Sequence, residues 1–131
     1  MGSYADDALF MSRNNIEYVE LISDDGKSKV MVIPAWQGRV MTTSAAGDEG
    51  DSYGWINYSF IKKRQIDLQF NPVGGEERFW LGPEGGVFSL YFRQGEKQIY
   101  KNWKVPPVLD IEAFKIQSQS KNCICLTKEG C

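Results

Sequence analysis

Hydrophobic and polar residues alternate along much of the chain, and this alternation predicts short β-strands. Residues 16–23 (IEYVELIS) and 29–33 (KVMVI) are rich in β-branched side chains, which favour strands. Between them lies DDGK, and an Asp-Gly pair readily takes the positive φ angles of a tight hairpin turn. Pro34 follows at once and ends the second strand, because proline has no backbone N–H to donate. The pattern predicts an antiparallel hairpin.

The same patterns predict further strands and two short helices. Strands are predicted at residues 37–45, 78–82, 87–93, 113–119 and 123–128, and helices at residues 5–13 and 55–64. Residues 46–54 are predicted to form a loop, and the Pro-rich residues 102–110 an extended crossing segment. Glycine and proline recur at the spacing of about 8–12 residues that is typical of antiparallel β proteins. The prediction is one mainly β domain over residues 1–131.

Length and charge narrow the possible partners. A chain of 131 residues is enough for one domain, and its formal charge of −2 is spread without a strongly basic cluster. Nucleic acid and anionic membrane surfaces are therefore not expected as partners, because both require concentrated positive charge. No apolar run approaches the roughly 18 residues of a membrane span, and the first residues lack the pattern of a signal peptide.

The absence of histidine limits the chemistry. It excludes Ser–His and Cys–His nucleophiles, so that acid/base work would fall to carboxylates, lysine or tyrosine. Cys123, Cys125 and Cys131 crowd into the last nine residues, where free thiols are expected. They are fewer than the four ligands of a usual zinc site, and residues 48–51 (DEGD) carry only part of a calcium-loop pattern. We expect neither a metal nor a cofactor.

The stretch GGEERFWLGPEGG at residues 74–86 concentrates candidate chemistry. Two carboxylates that flank a sugar bond can hydrolyse it, and Glu76 or Glu77 could pair with Glu84 for this purpose. Glu76 and Glu77 themselves would face opposite ways in a strand. The alternative is a structural arrangement in which these glutamates pair with Arg78 or with Arg39 from a neighbouring strand.

Aromatic residues allow two interpretations as well. A sugar presents apolar C–H faces on which an aromatic ring can stack, yet a β core uses the same side chains. The chain has 4 Trp, 6 Tyr and 7 Phe. We expect most of them in the core and one or two at a ligand.

Three stretches resemble a known family when they are taken together. PAWQGRVMTTSAAGDEGDSYGWINYSFI, FNPVGGEERFWLGPEGGVFSLYF and NWKVPPVLDIEAF are similar to an uncharacterised family of Bacteroides-type gut bacteria. That family looks like the galactose mutarotase superfamily, and GGEERFWLGPE is the part most similar to the aldose 1-epimerases. The resemblance implies an antiparallel β-sandwich, part of a larger supersandwich, with a carbohydrate site on a concave face. It allows a periplasmic or secreted location.

The resemblance also implies which residues line the sugar cleft. Arg39, Glu77 and Arg78 are the positions that carry over, with Trp80 and Glu84 beside them. Epimerases of this type use a His acid and a Glu base that nothing in this chain matches, so no catalytic residue is predicted. The expected local arrangement has close-approaching glycines at 74 and 75, residues 79 and 80 alternating between core and cleft, and a carboxylate holding the arginine.

Three functional hypotheses follow from these residues. The first is a carbohydrate-binding mutarotase-like sandwich without epimerase catalysis, the second a carboxylate-dependent glycan-active enzyme, and the third a structural or assembly fragment. The resemblance implies the N-terminal portion of a larger sandwich, which would leave strand edges and an apolar face for self-association into a homo-oligomer. The candidates for that face or its buried partner are Ile33, Met41, Phe88, Leu90, Phe92, Ile124 and Leu126.

Overall fold

A computed structural model describes residues 2–130, and a three-stranded antiparallel sheet forms in the first third of the chain. Its strands are β1 (Val19–Ile22), β2 (Lys29–Ile33) and β3 (Arg39–Ser44), in the order β1-β2-β3. The predicted hairpin is confirmed, since β1 pairs with β2. In its turn, Asp25 Oδ1 accepts hydrogen bonds from Ser23 Oγ at 2.6 Å and from Lys27 N at 3.0 Å. A 3-10 helix at Pro34–Trp36 then carries the chain from β2 to β3.

Two predicted helices are also present and complete the first hydrophobic cluster. Helix α1 (Tyr4–Arg13) begins with a capping box between Ser3 and Asp6, which satisfies backbone N–H groups at its first turn. Helix α2 (Tyr58–Lys62) is capped by the side chain of Asn57. The cluster joins both helices to the sheet and consists of Tyr4, Met11, Met31, Ile33, Met41, Ile56, Ile61 and Val73.

A buried carboxylate ties these elements together. Asp7 of α1 accepts hydrogen bonds from the hydroxyl groups of Ser52 and Tyr58. The Ser52 hydroxyl also lies 2.5 Å from the hydroxyl of Thr42 in β3. Since a buried carboxylate without donors is costly, this network fixes α1 against both the sheet and α2.

The predicted strands at residues 78–82 and 87–93 are wrong. Residues 63–99 contain no helix and no strand, only single β-bridges at Gly74 and Glu77. Glycine and proline interrupt this segment, and its backbone groups bond singly to distant partners, as when Lys104 N donates to Tyr91 O at 2.9 Å. Its order comes from a second hydrophobic cluster, built by Tyr91, Val105 and Leu109 with Phe70, Trp80, Phe92, Trp103 and Val108 around them.

The crossing segment and the last hairpin close the described part of the chain. The predicted extended segment at residues 102–110 holds only in part. Trp103 and Pro106 have an extended backbone, but a 3-10 helix forms at Tyr100–Asn102 and helix α3 at Pro107–Asp110. Strands β4 (Lys115–Gln119) and β5 (Ile124–Thr127) form the second predicted hairpin. Ile22 N donates to Lys121 O at 2.8 Å, which attaches this hairpin to the outer edge of β1.

The architecture of residues 2–130 is therefore mainly small antiparallel sheets with few helices, and five strands form where about seven are predicted. Two of the side chains suggested for an exposed apolar face or its partner, Ile33 and Met41, are fully buried in the first cluster. Phe88 and Leu90 are exposed. None of the described helices is both long and apolar enough to cross a membrane.

The burial of Tyr4 predicts how the unfolding free energy depends on pH. Its ring is fully buried, and its hydroxyl has no hydrogen-bond partner among residues 2–130. Burial, and next the charge of Glu20, raises the pKa of Tyr4 far above its usual value. Because the folded pKa exceeds the unfolded one, the contribution to stability is complete below about pH 10 and is lost as the pH rises further.

We therefore expect Tyr4→Phe to flatten the fall of the unfolding free energy above about pH 10. At pH 7 the variant should be as stable as the parent or slightly more so, because it removes an unsatisfied buried hydroxyl. Urea unfolding at both pH values measures this, with the exposed Tyr100→Phe as a matched control. A loss of about 1–3 kcal/mol at pH 7 would instead indicate that the hydroxyl is hydrogen-bonded.

Candidate functional site

Two glycines bring the candidate stretch against β3. Gly74 and Gly75 have φ angles of 95° and 109°, which residues with a Cβ rarely adopt. A Cβ on Gly75 would lie 2.8 Å from Arg39 Cδ. Glycine permits the approach, and Gly75 N then donates to Trp55 O at 2.7 Å. The expected close approach of the backbone at these glycines is confirmed.

Beyond the glycines, the chain runs along β3 and opens a concavity. Glu76 N donates to Val40 O at 2.9 Å, and Val40 N donates to Glu77 O at 3.0 Å. This pairing sets the direction of the next four side chains. They line an open concavity of about 420 Å³ together with the start of β3 and the residue before it. The lining residues are Gly38, Val40, Glu77, Arg78, Phe79 and Trp80.

A carboxylate holds Arg78 in place, as expected, but it comes from a distant part of the chain. Arg78 Nη1 lies 3.4 Å from Asp110 Oδ1, and Arg78 Nη2 donates to the carbonyl of Leu109. The Arg78 side chain is 18% exposed and that of Asp110 is 1% exposed. Burial lowers the pKa of Arg78, and the charge of Asp110 opposes that shift. The predicted pairing of Arg78 with a neighbouring glutamate is wrong.

Asp110 receives further hydrogen bonds. Its Oδ2 accepts from the backbone N and from the side-chain Nδ2 of Asn71, both at 2.8 Å. The carboxylate therefore joins α3 to the segment before Gly74 and to Arg78. Such a charge is stable in the interior because several donors surround it.

Trp80 is packed on its faces and at its edge. Tyr91 stacks on it at 5.1 Å, and the guanidinium carbon of Arg78 lies 4.4 Å from its ring centroid. Its indole Nε1 donates to Glu84 Oε1 at 2.7 Å. Phe79, in contrast, is 52% exposed and lines the same concavity. Residues 79 and 80 thus differ in burial, but both line the concavity, and the ring of Phe114 lies 6.5 Å from that of Phe79.

The three candidate glutamates lie in different surroundings. Glu76 Oε2 accepts a hydrogen bond from Thr43 Oγ1 at 3.1 Å, and Glu84 is engaged by Trp80. Glu77 is exposed, lines the concavity and forms no ion pair within residues 2–130. Of the three, Glu77 is therefore the carboxylate that is open to a ligand.

Arg39 belongs to a different cavity. It is only 3% exposed, and its Nη1 donates to Gly74 O at 2.7 Å. It forms no ion pair with a glutamate anywhere in the described chain, so the predicted pairing across strands is wrong. It lines a cavity of about 350 Å³ that shares none of its residues with the concavity around Phe79.

The remaining candidates give no metal centre. Within residues 2–130, no three Cys, Asp or Glu side chains come close enough together to hold an ion. In the acidic loop, Asp48 pairs with Lys29 at 2.6 Å. Cys123 and Cys125 are free and exposed, as expected, while Cys131 lies outside the described residues.

A family model matches almost the whole chain. It is described as a family of unknown function, DUF6786, and it covers residues 2–130. The chain belongs to this family. No curated protein and no solved structure matches the chain.

Sequence patterns alone do not single out three residues of this site. Asp110 and Asn71 lie 39 residues apart and meet only in the folded chain. Their one local signal is that each polar residue stands in a short stretch of proline and apolar residues, in FNPV and PPVLD. Phe79 resembles any other aromatic residue of the stretch, since its exposure results from the direction set by the pairing with Val40.

The geometry of Arg78 generates a stability prediction. We expect Arg78→Ala to lower the unfolding free energy by about 3–5 kcal/mol, because the buried carboxylate of Asp110 loses its countercharge. Chemical denaturation measures the change. Lys121→Ala is the matched control, because it breaks the exposed pair with Asp24 and should change little. Equal effects of the two substitutions would contradict the role given to Arg78.

Proposed function

We propose that this chain forms the carbohydrate-binding part of a mutarotase-like antiparallel β-sandwich and that it binds sugar without epimerase catalysis. One observation carries the proposal. The half-exposed ring of Phe79 lines an open concavity together with Glu77 and Arg78. An aromatic face with an acceptor and a donor beside it suits a ligand that has both C–H faces and hydroxyl groups.

Order within the concavity favours binding over a mobile surface loop. Arg78 is fixed by Asp110 and packs on Trp80, so its donors need little further ordering when a ligand arrives. The segment that carries Glu77 is bonded to both the backbone N–H and the backbone carbonyl of Val40. The sandwich part of the proposal is supported by the β-rich architecture and by this pairing, which lengthens the sheet beyond β3.

The glycan-active alternative is less well supported by the same residues. Glycoside hydrolysis of the usual kind needs two carboxylates that face one bond. Glu76 and Glu84 each accept a hydrogen bond from their own chain, at Thr43 and Trp80. This leaves Glu77 in the concavity without a second open carboxylate from the stretch, and binding is the function we favour.

A titration with mono- and oligosaccharides tests the proposal. We expect amide chemical shifts of residues 38–40 and 77–80 to move on addition of at least one sugar. Phe79→Ala should weaken this binding about tenfold, which corresponds to the loss of one stacking contact. Phe88→Ala is the matched control, since Phe88 is 82% exposed and lies outside the concavity. Equal weakening by both substitutions would contradict a platform at Phe79.

A second pair of variants tests whether Glu77, rather than Glu76, binds the sugar. Glu77→Gln should weaken the same sugar, because an ionised acceptor bonds a hydroxyl more strongly than a neutral amide. Glu76→Gln, one residue away and bonded to Thr43, should leave affinity unchanged. If no sugar moves the resonances of the concavity even at high millimolar concentration, the proposal fails as a whole.

We also propose that the chain self-associates into a homo-oligomer. In support, the segment between Trp80 and Trp103 exposes a series of apolar side chains, which are Val87, Phe88, Leu90, Ile99 and Tyr100. A monomeric protein usually keeps such surface small, and covering about 800 Å² per partner is typical of a stable dimer. Neither Cys123 nor Cys125 is required for this contact.

Light scattering under reducing conditions measures the assembly. We expect a dimer or larger species, and we expect Phe88→Asp to shift the distribution towards the monomer because it places a charge in the apolar surface. Tyr53→Asp is the control, since it changes another exposed aromatic residue outside this segment. A monodisperse monomer of the parent chain at tens of micromolar would contradict self-association.

A further inference from the structure

A second cavity is lined by Arg39, whose sequence neighbours Gly38 and Val40 line the concavity at Phe79. It has a volume of about 350 Å³, which is within the lower range of small-molecule sites. Residues from the end of α1, the 3-10 helix after β2, α2 and α3 surround it. Its apolar walls include Ile16, Trp36, Phe60, Ile61, Val73 and Ile111.

Two arginines bring positive charge to this apolar cavity. Arg39 is almost completely buried, and Arg64 is exposed at the end of α2. Arg39 Nη1 donates to Gly74 O, but its Nε has no hydrogen-bond partner among residues 2–130. A buried guanidinium with an unused donor is costly, because protein atoms have replaced its water without replacing all its hydrogen bonds.

The carboxylate in the cavity does not neutralise Arg39. Asp110 Oδ1 faces Arg78, and Asp110 Oδ2 accepts two hydrogen bonds from Asn71. Burial, and next the charge of Arg78, lowers the pKa of Arg39 to about 10, while Asp110 opposes the shift. Arg39 therefore stays charged at neutral pH, with one carboxylate serving two guanidinium groups.

We propose that this cavity binds a small organic monocarboxylate with an aromatic or branched apolar body. The carboxylate bonds to Arg39, with Arg64 at the rim, and the apolar body packs against Trp36, Phe60 and Ile111. Arginine suits this role because its planar fork matches a carboxylate and is weakly hydrated for a cation. The walls are mainly apolar, so that a polar ligand such as a free sugar would leave hydroxyl groups unsatisfied there.

The single charge of the ligand follows from Asp110. Its carboxylate lines the same cavity, and it would repel a phosphate dianion more strongly than a monoanion. Arg39, Arg78 and Asp110 together carry one positive charge, which a monoanion compensates, whereas a neutral ligand leaves Arg39 uncompensated. Arg64 is exposed at the rim, where water and salt screen its charge. The ligand class is therefore distinguished by charge as well as by shape.

Three probes of the same shape test the proposal on the intact chain. Phenylacetate carries the monoanion, phenylacetamide is its neutral analogue, and phenyl phosphate offers a dianion. We expect phenylacetate to bind at least about tenfold more tightly than the amide and more tightly than the phosphate, by calorimetry and by the rise in Tm on ligand addition. Equal binding of acid and amide, a preference for the phosphate, or no binding of any probe would overturn the proposal.

Substitutions test whether Arg39 and Arg64 bind the carboxylate of the ligand. Arg39→Met should abolish phenylacetate binding, and Arg64→Gln, at an exposed position that does not disturb the core, should weaken it several-fold. Arg93→Gln is the matched control, since Arg93 is exposed and lines neither this cavity nor the concavity at Phe79. If Arg39→Met does not fold, Arg64→Gln against Arg93→Gln still decides. Unchanged affinity in Arg64→Gln would overturn the proposed site.

The two sites are distinguished by cross-testing. Phe79→Ala should leave phenylacetate affinity unchanged, because Phe79 is not part of this cavity. Loss of phenylacetate binding in Phe79→Ala would show that the probe occupies the concavity instead, and would overturn the assignment to Arg39.

Discussion

The carboxylate of Asp110 is the charge on which the second half of the described chain depends. It accepts hydrogen bonds from the backbone and side chain of Asn71 and pairs with Arg78, and its side chain is 1% exposed. Without these donors the carboxylate would be too costly to bury, and without the carboxylate Arg78 would lose its countercharge. The contact holds together a segment that has no strand or helix of its own between residues 63 and 99.

A ladder of aromatic rings provides the packing that accompanies this charge. Trp80 stacks on Tyr91 at 5.1 Å, Tyr91 on Trp103 at 5.8 Å, and Trp103 on Tyr100 at 6.1 Å. Offset stacking of this kind adds about 0.5–1.5 kcal/mol per pair beyond the area that it buries. Rings of one segment thus pack against rings of the next, and the order of residues 80–103 does not require regular hydrogen-bonded strands.

The range of the contacts that hold an element decides whether the sequence predicts it. The hairpin of β1 and β2, the hairpin of β4 and β5 and the two capped helices depend on neighbours in the chain, and all four form where the pattern indicates. Residues 78–82 and 87–93 have the apolar content of strands and the spacing of a hairpin, yet they do not pair with each other. Their conformation is set by contacts that are distant in the sequence, because Arg78 pairs with Asp110 across 32 residues and Trp80 stacks on Tyr91. Periodicity does not record such contacts.

In the candidate site, too, local features are predictable from the sequence and distant contacts are not. The close approach at Gly74 and Gly75 is predictable, because a pair of glycines in an apolar stretch has a local conformational reason. The pairing of Arg78 and the burial of Arg39 depend on where α3 packs, and no spacing within GGEERFW indicates it. Two arginines and one aspartate meet there, so that a single carboxylate cannot compensate both guanidinium groups. Arg78 pairs with Asp110 at 3.4 Å, whereas Arg39 Nη1 donates to a backbone carbonyl. The Nε of each arginine has no hydrogen-bond partner among residues 2–130, so the ion pair is the difference between them. The imbalance in charge, rather than the shape of either cavity, is therefore what separates a structural arginine from one that is available to an anion.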